Sequence, residues 1–323
     1  MSSTTEKKTT LSRGQTHRAL NSFVAASGLW GAWGQACGLG TAAFTGFALH
    51  LGADDSFIAL FTSAAYFLAL TQLLAPLLSA RIRDTKRFVI GAGCVEIVFR
   101  GLPLTIPFLV PEQYRLISLV CLSLFSGYSI SPFYNTWIAN AVPENTRARF
   151  ASRQTIVSTV VAMVAGFAIG QFLDLFPEGS KEEGFVWVFA VGSLFGLLGY
   201  INLFRAPYPK QETSANNQAP GLRDLLQPLH DPHFRRAALF YGSWTFSLGL
   251  AGPLYSVFML DRLAISYTEI SIFNALFMLA SIAGYRIWAG LIDRFGSKPV
   301  LQILMVPASF LPFVWAFNQP ESY

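Results

Sequence analysis

The chain is poor in charged residues, cysteine and histidine. Asp, Glu, Lys and Arg together make up 13% of its 323 residues, whereas soluble domains average about 25%. All three cysteines, Cys37, Cys94 and Cys121, lie in apolar segments, so the sequence indicates no disulfide framework. The four histidines form no metal-ligand pattern, and the sequence contains no phosphate-binding P-loop. We therefore predict that the protein is not an enzyme and holds no metal or organic cofactor.

Long apolar runs stand where a soluble protein would carry charge. Hydrophobic residues form 53% of the chain, and they gather into runs of about twenty, the length at which a helix crosses about 30 Å of hydrocarbon. The runs show no sustained period-two alternation, which argues against a β-barrel. We predict an all-α polytopic membrane protein with spans at residues 23–49, 57–79, 88–110, 116–140, 154–176, 185–204, 236–260, 267–292 and 299–317.

Basic residues are distributed unevenly between the loops. With a cytoplasmic N-terminus, eighteen of the 23 Lys and Arg residues fall on the cytoplasmic side and three on the opposite side. The positive-inside rule expects this asymmetry. We therefore predict a multi-pass protein of the cytoplasmic membrane, with its N-terminus in the cytoplasm and the lipid bilayer as a partner. The net charge of +5 follows from this topology and does not indicate nucleic-acid binding. The sequence leaves the oligomeric state open.

Polar segments divide the chain into four predicted parts. Residues 1–22 form a tail predicted to be disordered, and residues 208–234 form a cytoplasmic linker rich in Pro, Gln and Asn. Between them lies a bundle of six helices at 23–207, and a partial bundle of three helices follows at 235–323. The stretch LGADDSFIALF from Leu51 aligns with LAISYTEISIF from Leu263. Internal repeats of hydropathy are typical of transporter folds.

Loop motifs give the chain a family resemblance from about residue 20 onward. The stretch WAGLIDRFGSKP after the eighth span resembles the signature loop of the major facilitator superfamily, and SARIRDTKRF after the second span resembles a degraded copy. The stretch WIANAVPENTRARFASR after the fourth span is similar to a segment of the sugar-transporter-like members. The matching residues that we assign to a cytoplasmic gate are Asp293, Arg294, Gly296, Lys298, Asp84, Arg147 and Arg149.

The resemblance implies secondary active transport of a small solute by alternating access between two bundles of six helices. An aspartate at a glycine turn can pair with arginines or cap a helix N-terminus across the halves. Alternatively, the basic residues anchor helices to anionic headgroups. Because the sequence ends just after the ninth predicted span, the second bundle is expected to be incomplete. Two other interpretations therefore stay open: a non-transporting membrane module, such as a sensor or assembly partner, and a fragment of a split or decayed transporter.

A charged pair lies near the middle of the third predicted span. Glu96 and Arg100 are four residues apart, a spacing that places them on one helix face and favours a mutual contact. An isolated charge at this depth costs roughly 2.5–3.5 kcal/mol. In one interpretation the pair borders a substrate cavity and Glu96 couples transport to protons. In the other it is a structural clamp between helices. The coupling ion, a proton or sodium, is left open.

Family resemblance implies that helices one, four, seven and ten line the solute cavity. Aromatic faces with a few amides and hydroxyls suit sugars or other neutral, amphipathic solutes; the alternative is packing between helices. The candidate cavity residues are Trp30 and Gln35 in the first span, Tyr128 and Asn135 in the fourth, and Tyr241 and Trp244 in the seventh. In the fifth span, Gly166 and Gly170 have a GxxxG spacing, which indicates close helix packing.

Overall fold

The computed structural model describes residues 12–54, 56–58, 65, 67–79, 82, 84–101, 113–143, 146–209 and 227–317. Every regular element within this described part is a helix. Helices suit a bilayer because they satisfy their backbone hydrogen bonds internally. The all-α fold is therefore as predicted. Residues 1–11 of the predicted tail and 210–226 of the predicted linker lie outside the described residues, so the domain boundaries stay predictions.

Ten α-helices follow one another along the described chain, and each overlaps a predicted span. They are α1 (Arg13–Cys37), α2 (Ala42–His50), α3 (Ala75–Ser79), α4 (Thr85–Gly101), α5 (Gln113–Ala141), α6 (Arg147–Asp174), α7 (Lys181–Asn202), α8 (Pro232–Val257), α9 (Tyr267–Phe295) and α10 (Ser297–Ala316). Short 3-10 turns lie at Leu70–Leu74, Glu178–Ser180, Leu203–Arg205 and Gln227–His230, and a π-helical turn lies at Phe258–Arg262. We call α1–α7 the first half and α8–α10 the second half.

The first predicted span is interrupted. Helix α1 ends at Cys37, where the N–H of Gly38 donates to the carbonyl of Gly34, and α2 begins four residues after Gly38. Gly40 between them has φ +79°, a conformation that costs other residues roughly 1–2 kcal/mol. The hydroxyl of Thr41 then accepts the N–H of Phe44 at 3.3 Å and caps α2. Two glycines and a cap therefore break a run whose hydropathy predicts one continuous helix.

Glycines set the packing of α7 against α1. Gly192, Gly196 and Gly199 lie on the face of α7 that meets α1, where added Cβ atoms would collide with Ala36, Trp33 and Trp30 respectively. Small residues on one face let two helix backbones approach closely, the usual contact between helices in membranes. The other face of α7 exposes apolar side chains, among them Trp187 and Leu194. A helix that is apolar all round suits a bundle bounded by lipid.

Length and hydropathy mark three stretches of the described chain as long and apolar enough to cross a membrane. They are Arg149–Asp174, Lys181–Arg205 and Tyr267–Gly284. The break after Cys37 divides the first predicted span, and residues 102–110 of the third predicted span lie outside the described residues. The full set of nine spans therefore stays a prediction, while a membrane protein built from helices is established.

Candidate functional site

A buried ion pair joins three helices of the first half. Glu96 and Arg100 in α4 are each 7% exposed, and Nη2 of Arg100 lies 3.5 Å from Oε1 of Glu96. The hydroxyl of Tyr200 in α7 donates to Oε2 of Glu96 at 3.0 Å. Nε of Arg100 donates to Oγ of Ser123 in α5 at 3.1 Å, and Ser123 donates to the carbonyl of Glu96 at 2.9 Å. Each charged side chain thus has its partner charge and a partner on another helix.

Tryptophans of α1 cover this ion pair. The guanidinium of Arg100 lies 4.7 Å from the ring centroid of Trp33, within the range of a cation–π interaction. Trp30 contacts Tyr200 and Tyr134, with ring centroids 4.7 and 5.3 Å away. Both indole N–H groups are buried without an acceptor among the described residues. Trp30, predicted to line a cavity, therefore faces the interior of the first half. These contacts favour the structural interpretation of the charged pair.

The two halves meet at the end of the helices that carries Asp174 and Tyr267. We call it the outer end because the charge pattern predicts it to be extracellular. The backbone N–H groups of Tyr267 and Thr268, in the first turn of α9, donate to the two carboxylate oxygens of Asp174 at 3.1 and 2.8 Å. Ser256 of α8 donates to the carbonyl of Gly40 in the α1–α2 connection at 2.9 Å. Helices of the second half are thus bonded to the first.

The glycine pair of α6 lies in this same contact. The hydroxyl of Ser271 in α9 lies 2.9 Å from the carbonyl oxygen of Gly166 and 2.8 Å from that of Tyr267 in its own helix, and it can donate to either. A Cβ atom at Gly170 would lie 2.6 Å from the carbonyl oxygen of Tyr267 and 3.0 Å from the Cβ of Ser271. No larger residue fits there without movement of α9. The close packing predicted from the GxxxG spacing is confirmed, and its partner is a helix of the other half.

A crevice of about 20 Å³ remains where α1, α6 and α9 approach one another. Its lining includes the uncharged polar side chains of Gln35, Ser271 and Asn274 and the thioethers of Met163 and Met278. The volume corresponds to about one water molecule, whereas ligand pockets enclose about 300–1,000 Å³. In this conformation the crevice is the closed outer end of the interface between the halves.

The predicted cavity residues lie in several different places. Gln35 is the one that lines the described crevice. Tyr128 is half-buried against the apolar cluster around Phe47 and Phe189. Asn135 is exposed near the opposite, inner end of α5. In α8, Tyr241 is 59% exposed and Trp244 is half-buried. Their role as cavity residues stays a prediction.

Sequence reasoning missed the polar face of α9 and the carboxylate of Asp174. Ser271, Asn274 and Met278 follow the i, i+3, i+7 spacing, which places them on one helix face. This spacing could have indicated the face from the sequence. Asp174 gave no comparable signal, because its partners are backbone N–H groups that no residue pattern marks.

At the inner end, Lys86 joins the start of α4 to the end of α7. Its Nζ donates to the carbonyls of Phe204 and Ala206 at 2.9 and 2.8 Å, which lie in and just after the 3-10 turn that follows α7. Burial lowers the pKa of Lys86, and the negative charge of Asp84 partly offsets this effect. Asp84 itself pairs with Arg87 at 3.1 Å on the surface. Asp84, a predicted gate residue, thus contacts the first turn of its own helix.

Arg147 also binds the end of a helix in the first half. Its guanidinium donates to the carbonyls of Val142 and Ala139 at 3.3 and 2.7 Å, at the C-terminal end of α5. A cation at this position is favourable because the helix dipole is negative there. Arg149 is exposed. These two predicted gate residues therefore lie at the junction of α5 and α6, and their role in gating stays a prediction.

The second motif copy lies at the junction of α9 and α10. Gly296 has φ +83°, and its N–H donates to the carbonyl of Ile292 at 2.8 Å, so the motif glycine ends α9. The guanidinium of Arg294 lies 5.2 Å from the ring centroid of Phe295. Lys298 is exposed, and the side chain of Asp293 lies outside the described residues. The positive φ at the end of α9 explains why the motif has a glycine at position 296. The assignment of this motif to a gate stays a prediction.

A larger groove of about 590 Å³ opens between α6 and α7 over α1. Ala, Gly, Ile, Val, Phe and Trp side chains line it, with Phe172, Trp187 and Phe195 among them. Such a surface suits hydrocarbon chains and offers little hydrogen bonding to a polar solute. The polar crevice, and not this groove, is therefore the candidate path between the halves.

Comparison with known proteins gives a family over nearly the whole chain. A family model described as Major Facilitator Superfamily matches residues 19–321. A search of curated proteins finds no match. The family match agrees with a fold of packed apolar helices, with the motif glycine that ends α9, and with two halves that meet at a polar crevice. The chain belongs to the Major Facilitator Superfamily, whose members carry small solutes across membranes.

Proposed function

We propose that the protein carries a small neutral solute by alternating access between its two halves. The observation that supports this proposal is the uncharged polar crevice at the closed outer contact of α1, α6 and α9. Polar side chains between membrane helices commonly mark solute pathways. In the proposed cycle, the halves separate at the outer end and approach each other at the inner end, so the crevice widens to admit the solute.

The crevice lining favours a neutral, amphipathic solute such as a sugar or polyol. The amides of Gln35 and Asn274 and the hydroxyl of Ser271 can each donate and accept hydrogen bonds, while Met163 and Met278 offer adaptable apolar surface. Aspartate, glutamate, lysine and arginine are absent from this lining among the described residues. An ionic solute buried there would lack a counter-charge, which is costly.

We propose that Glu96 does not carry a coupling proton. Both of its carboxylate oxygens have partners, the guanidinium of Arg100 and the hydroxyl of Tyr200. Trp33 covers the guanidinium, so solvent has little access to the pair. Coupling to a proton or sodium would then require another site, and transport without coupling is the simpler expectation.

Solute uptake by the purified chain in proteoliposomes tests the proposed function. The panel contains labelled hexoses, polyols and nucleosides, with one anionic and one cationic solute for comparison. We expect saturable uptake of a neutral solute, unchanged by an imposed pH gradient. Gln35→Ala and Asn274→Ala should each raise the half-saturating concentration about five- to tenfold, since each substitution removes a hydrogen bond to the solute.

The matched control is Gln171→Ala. Gln171 is an exposed amide in α6 and does not line the crevice, so its removal should leave uptake unchanged. Saturable uptake of the charged solutes alone, or equal loss in the Gln171 variant, would contradict the proposed solute path.

A further inference from the structure

Asp174 connects the two halves through its carboxylate. We propose that Asp174 is the latch of the outer gate, a positioning residue that holds α9 against α6 while the outer end is closed. Its two oxygens accept the N–H groups of Tyr267 and Thr268 at 3.1 and 2.8 Å. The carboxylate also lies at the positive end of the α9 dipole, where an anion is favoured. This proposal rests on the alternating-access function proposed above.

Helix α9 does not need Asp174 in order to begin. Ser266 and Glu269 form a capping box, in which Oγ of Ser266 accepts the N–H of Glu269 at 3.2 Å and the Glu269 carboxylate accepts the N–H of Ser266 at 2.9 Å. This box occupies its own backbone N–H groups and leaves those of Tyr267 and Thr268 to Asp174. When the two hydrogen bonds to Asp174 break, α9 keeps its cap, so the halves can separate without local unfolding.

The side chain of Tyr267 packs the first turn of α9 against helices of the first half. Tyr267 is buried, its ring lies 6.1 Å from that of Phe185 in α7, and Nζ of Lys181 lies 5.4 Å from its centroid. Gly46 of α2 makes room for the ring, because a Cβ atom there would lie 2.8 Å from Cζ of Tyr267. The side chain of Tyr267 therefore packs into a site formed by the first half, and Asp174 holds the backbone of the same turn of α9.

The latch bonds can be exchanged for water. Asp174 is exposed on the outer surface, so solvent can hydrate its carboxylate when α9 moves away. The bond from Thr268 is exposed and the bond from Tyr267 is partly buried, and charge-assisted hydrogen bonds to an exposed carboxylate contribute modestly because water competes for it. Such a contact stabilises the closed state of the outer end but still allows it to open, and a transport cycle requires both states.

Thiol labelling of two reporter positions tests the latch without any solute. In a Cys37→Ala/Cys94→Ala/Cys121→Ala background, Gln35→Cys reports the outer crevice and Asn135→Cys reports the inner end of α5. A membrane-impermeant maleimide is applied to right-side-out and inside-out vesicles. We expect Asp174→Ala to raise the labelling rate of the outer reporter about tenfold. This change corresponds to the loss of one charge-assisted hydrogen bond that stabilises the closed outer end. Asp174→Asn should give a smaller rise, since its amide oxygen still accepts one N–H.

Labelling of the inner reporter should fall as labelling of the outer reporter rises. A merely destabilised protein would instead label faster at both positions, and size-exclusion profiles identify such variants. If Asp174→Ala is not recovered folded, Asp174→Asn decides the outcome. The matched control is Glu269→Gln, which removes a charge from the same helix end but keeps a capping box, and should leave both rates unchanged.

Two results would overturn the latch. One is labelling of the outer reporter in the Asp174 variants within twofold of the parent and of Glu269→Gln. The other is faster labelling at both reporters in a folded variant. Because labelling needs no solute, the test separates the two proposals. Reciprocal labelling without uptake by the parent supports the latch and rejects the proposed solute. Uptake without reciprocal labelling supports the proposed solute and rejects the latch.

Discussion

Glu96 and Arg100 illustrate, at the scale of single residues, how charge is accommodated inside a bundle of apolar helices. Each residue is only 7% exposed, and each side chain is held by groups from other helices: Tyr200 for the carboxylate, and Ser123 and Trp33 for the guanidinium. A buried pair with satisfied hydrogen bonds adds little net stability relative to apolar residues, but removing one partner leaves an uncompensated charge. The contacts therefore matter most when one of them is broken.

Removing one member of the pair should be worse than removing both. Glu96→Leu leaves the Arg100 guanidinium charged and unpaired, at a cost of about 3–5 kcal/mol, whereas Glu96→Leu/Arg100→Leu should fold nearly as well as the parent. Detergent-extracted yield and the midpoint of thermal unfolding measure this difference. A double variant that folds worse than either single variant would rule out the compensated pair.

The surface pair of Asp84 and Arg87 is the control, since its opposite charges lie three residues apart at the start of the same helix. Its side chains are 51% and 85% exposed, and such pairs contribute about 0–1 kcal/mol. Arg87→Leu leaves the Asp84 carboxylate bound to the backbone N–H of residue 87, where it caps α4, so this variant should keep an unfolding midpoint close to that of the parent.

At the scale of elements, glycines and caps decide where the helices of this chain begin and end. Gly40, with φ +79°, separates α1 from α2 within one apolar run. The box of Ser266 and Glu269 starts α9, and Gly296 ends it before α10 begins. These signals are short and local, and at Gly40 they override a hydropathy pattern that extends across the break.

Gly296→Ala should destabilise the junction of α9 and α10. A Cβ atom at this position meets no neighbour within 4 Å, so the expected cost of roughly 1–3 kcal/mol comes from the backbone conformation alone, since φ +83° with ψ 160° is essentially confined to glycine. Gly242→Ala is the matched control, because Gly242 lies within α8 and is equally free of neighbours. Alanine there should leave stability unchanged or raise it by about 0.5–1 kcal/mol. Thermal unfolding in detergent distinguishes the two, and equal midpoints would contradict the explanation.

At the scale of the whole molecule, the two halves meet through several polar contacts at their outer end. Helix α9 packs along α6 from Tyr267 at Asp174 to Met278 near Met163, and α8 reaches the α1–α2 connection through Ser256. We propose that the outer end is extracellular and that the protein lies in the cytoplasmic membrane, since the basic residues concentrate in the loops of the inner end.

Side-specific labelling tests this orientation. In the background without native cysteines, Ser214→Cys in the predicted cytoplasmic linker should be labelled by an impermeant maleimide only in inside-out vesicles. Glu183→Cys, near the start of α7, should be labelled only from outside intact cells, because that helix begins at the outer end. Labelling of the linker position in intact cells would reverse the topology.

Much of this architecture follows from the sequence alone, because hydropathy and charge act locally along the chain. Apolar length indicated the helices, and the loop around Gly296 indicated the family; the asymmetry of Lys and Arg predicts an orientation. The spacing of Glu96 and Arg100 indicated a pair, and that of Gly166 and Gly170 indicated close packing. In each case the controlling residues are near neighbours in sequence.

The partners of these residues were decided only by the tertiary structure. Glu96 binds Tyr200, 104 positions away, and Asp174 binds the first turn of α9, 93 and 94 positions away. The ring of Trp30 packs against Tyr200 and Tyr134 because Gly199 on α7 leaves space for it. Apolar helices resemble one another in composition, so a sequence does not specify which faces will meet. Packing of side chains between the helices selects those faces, and with them the contacts of the candidate site.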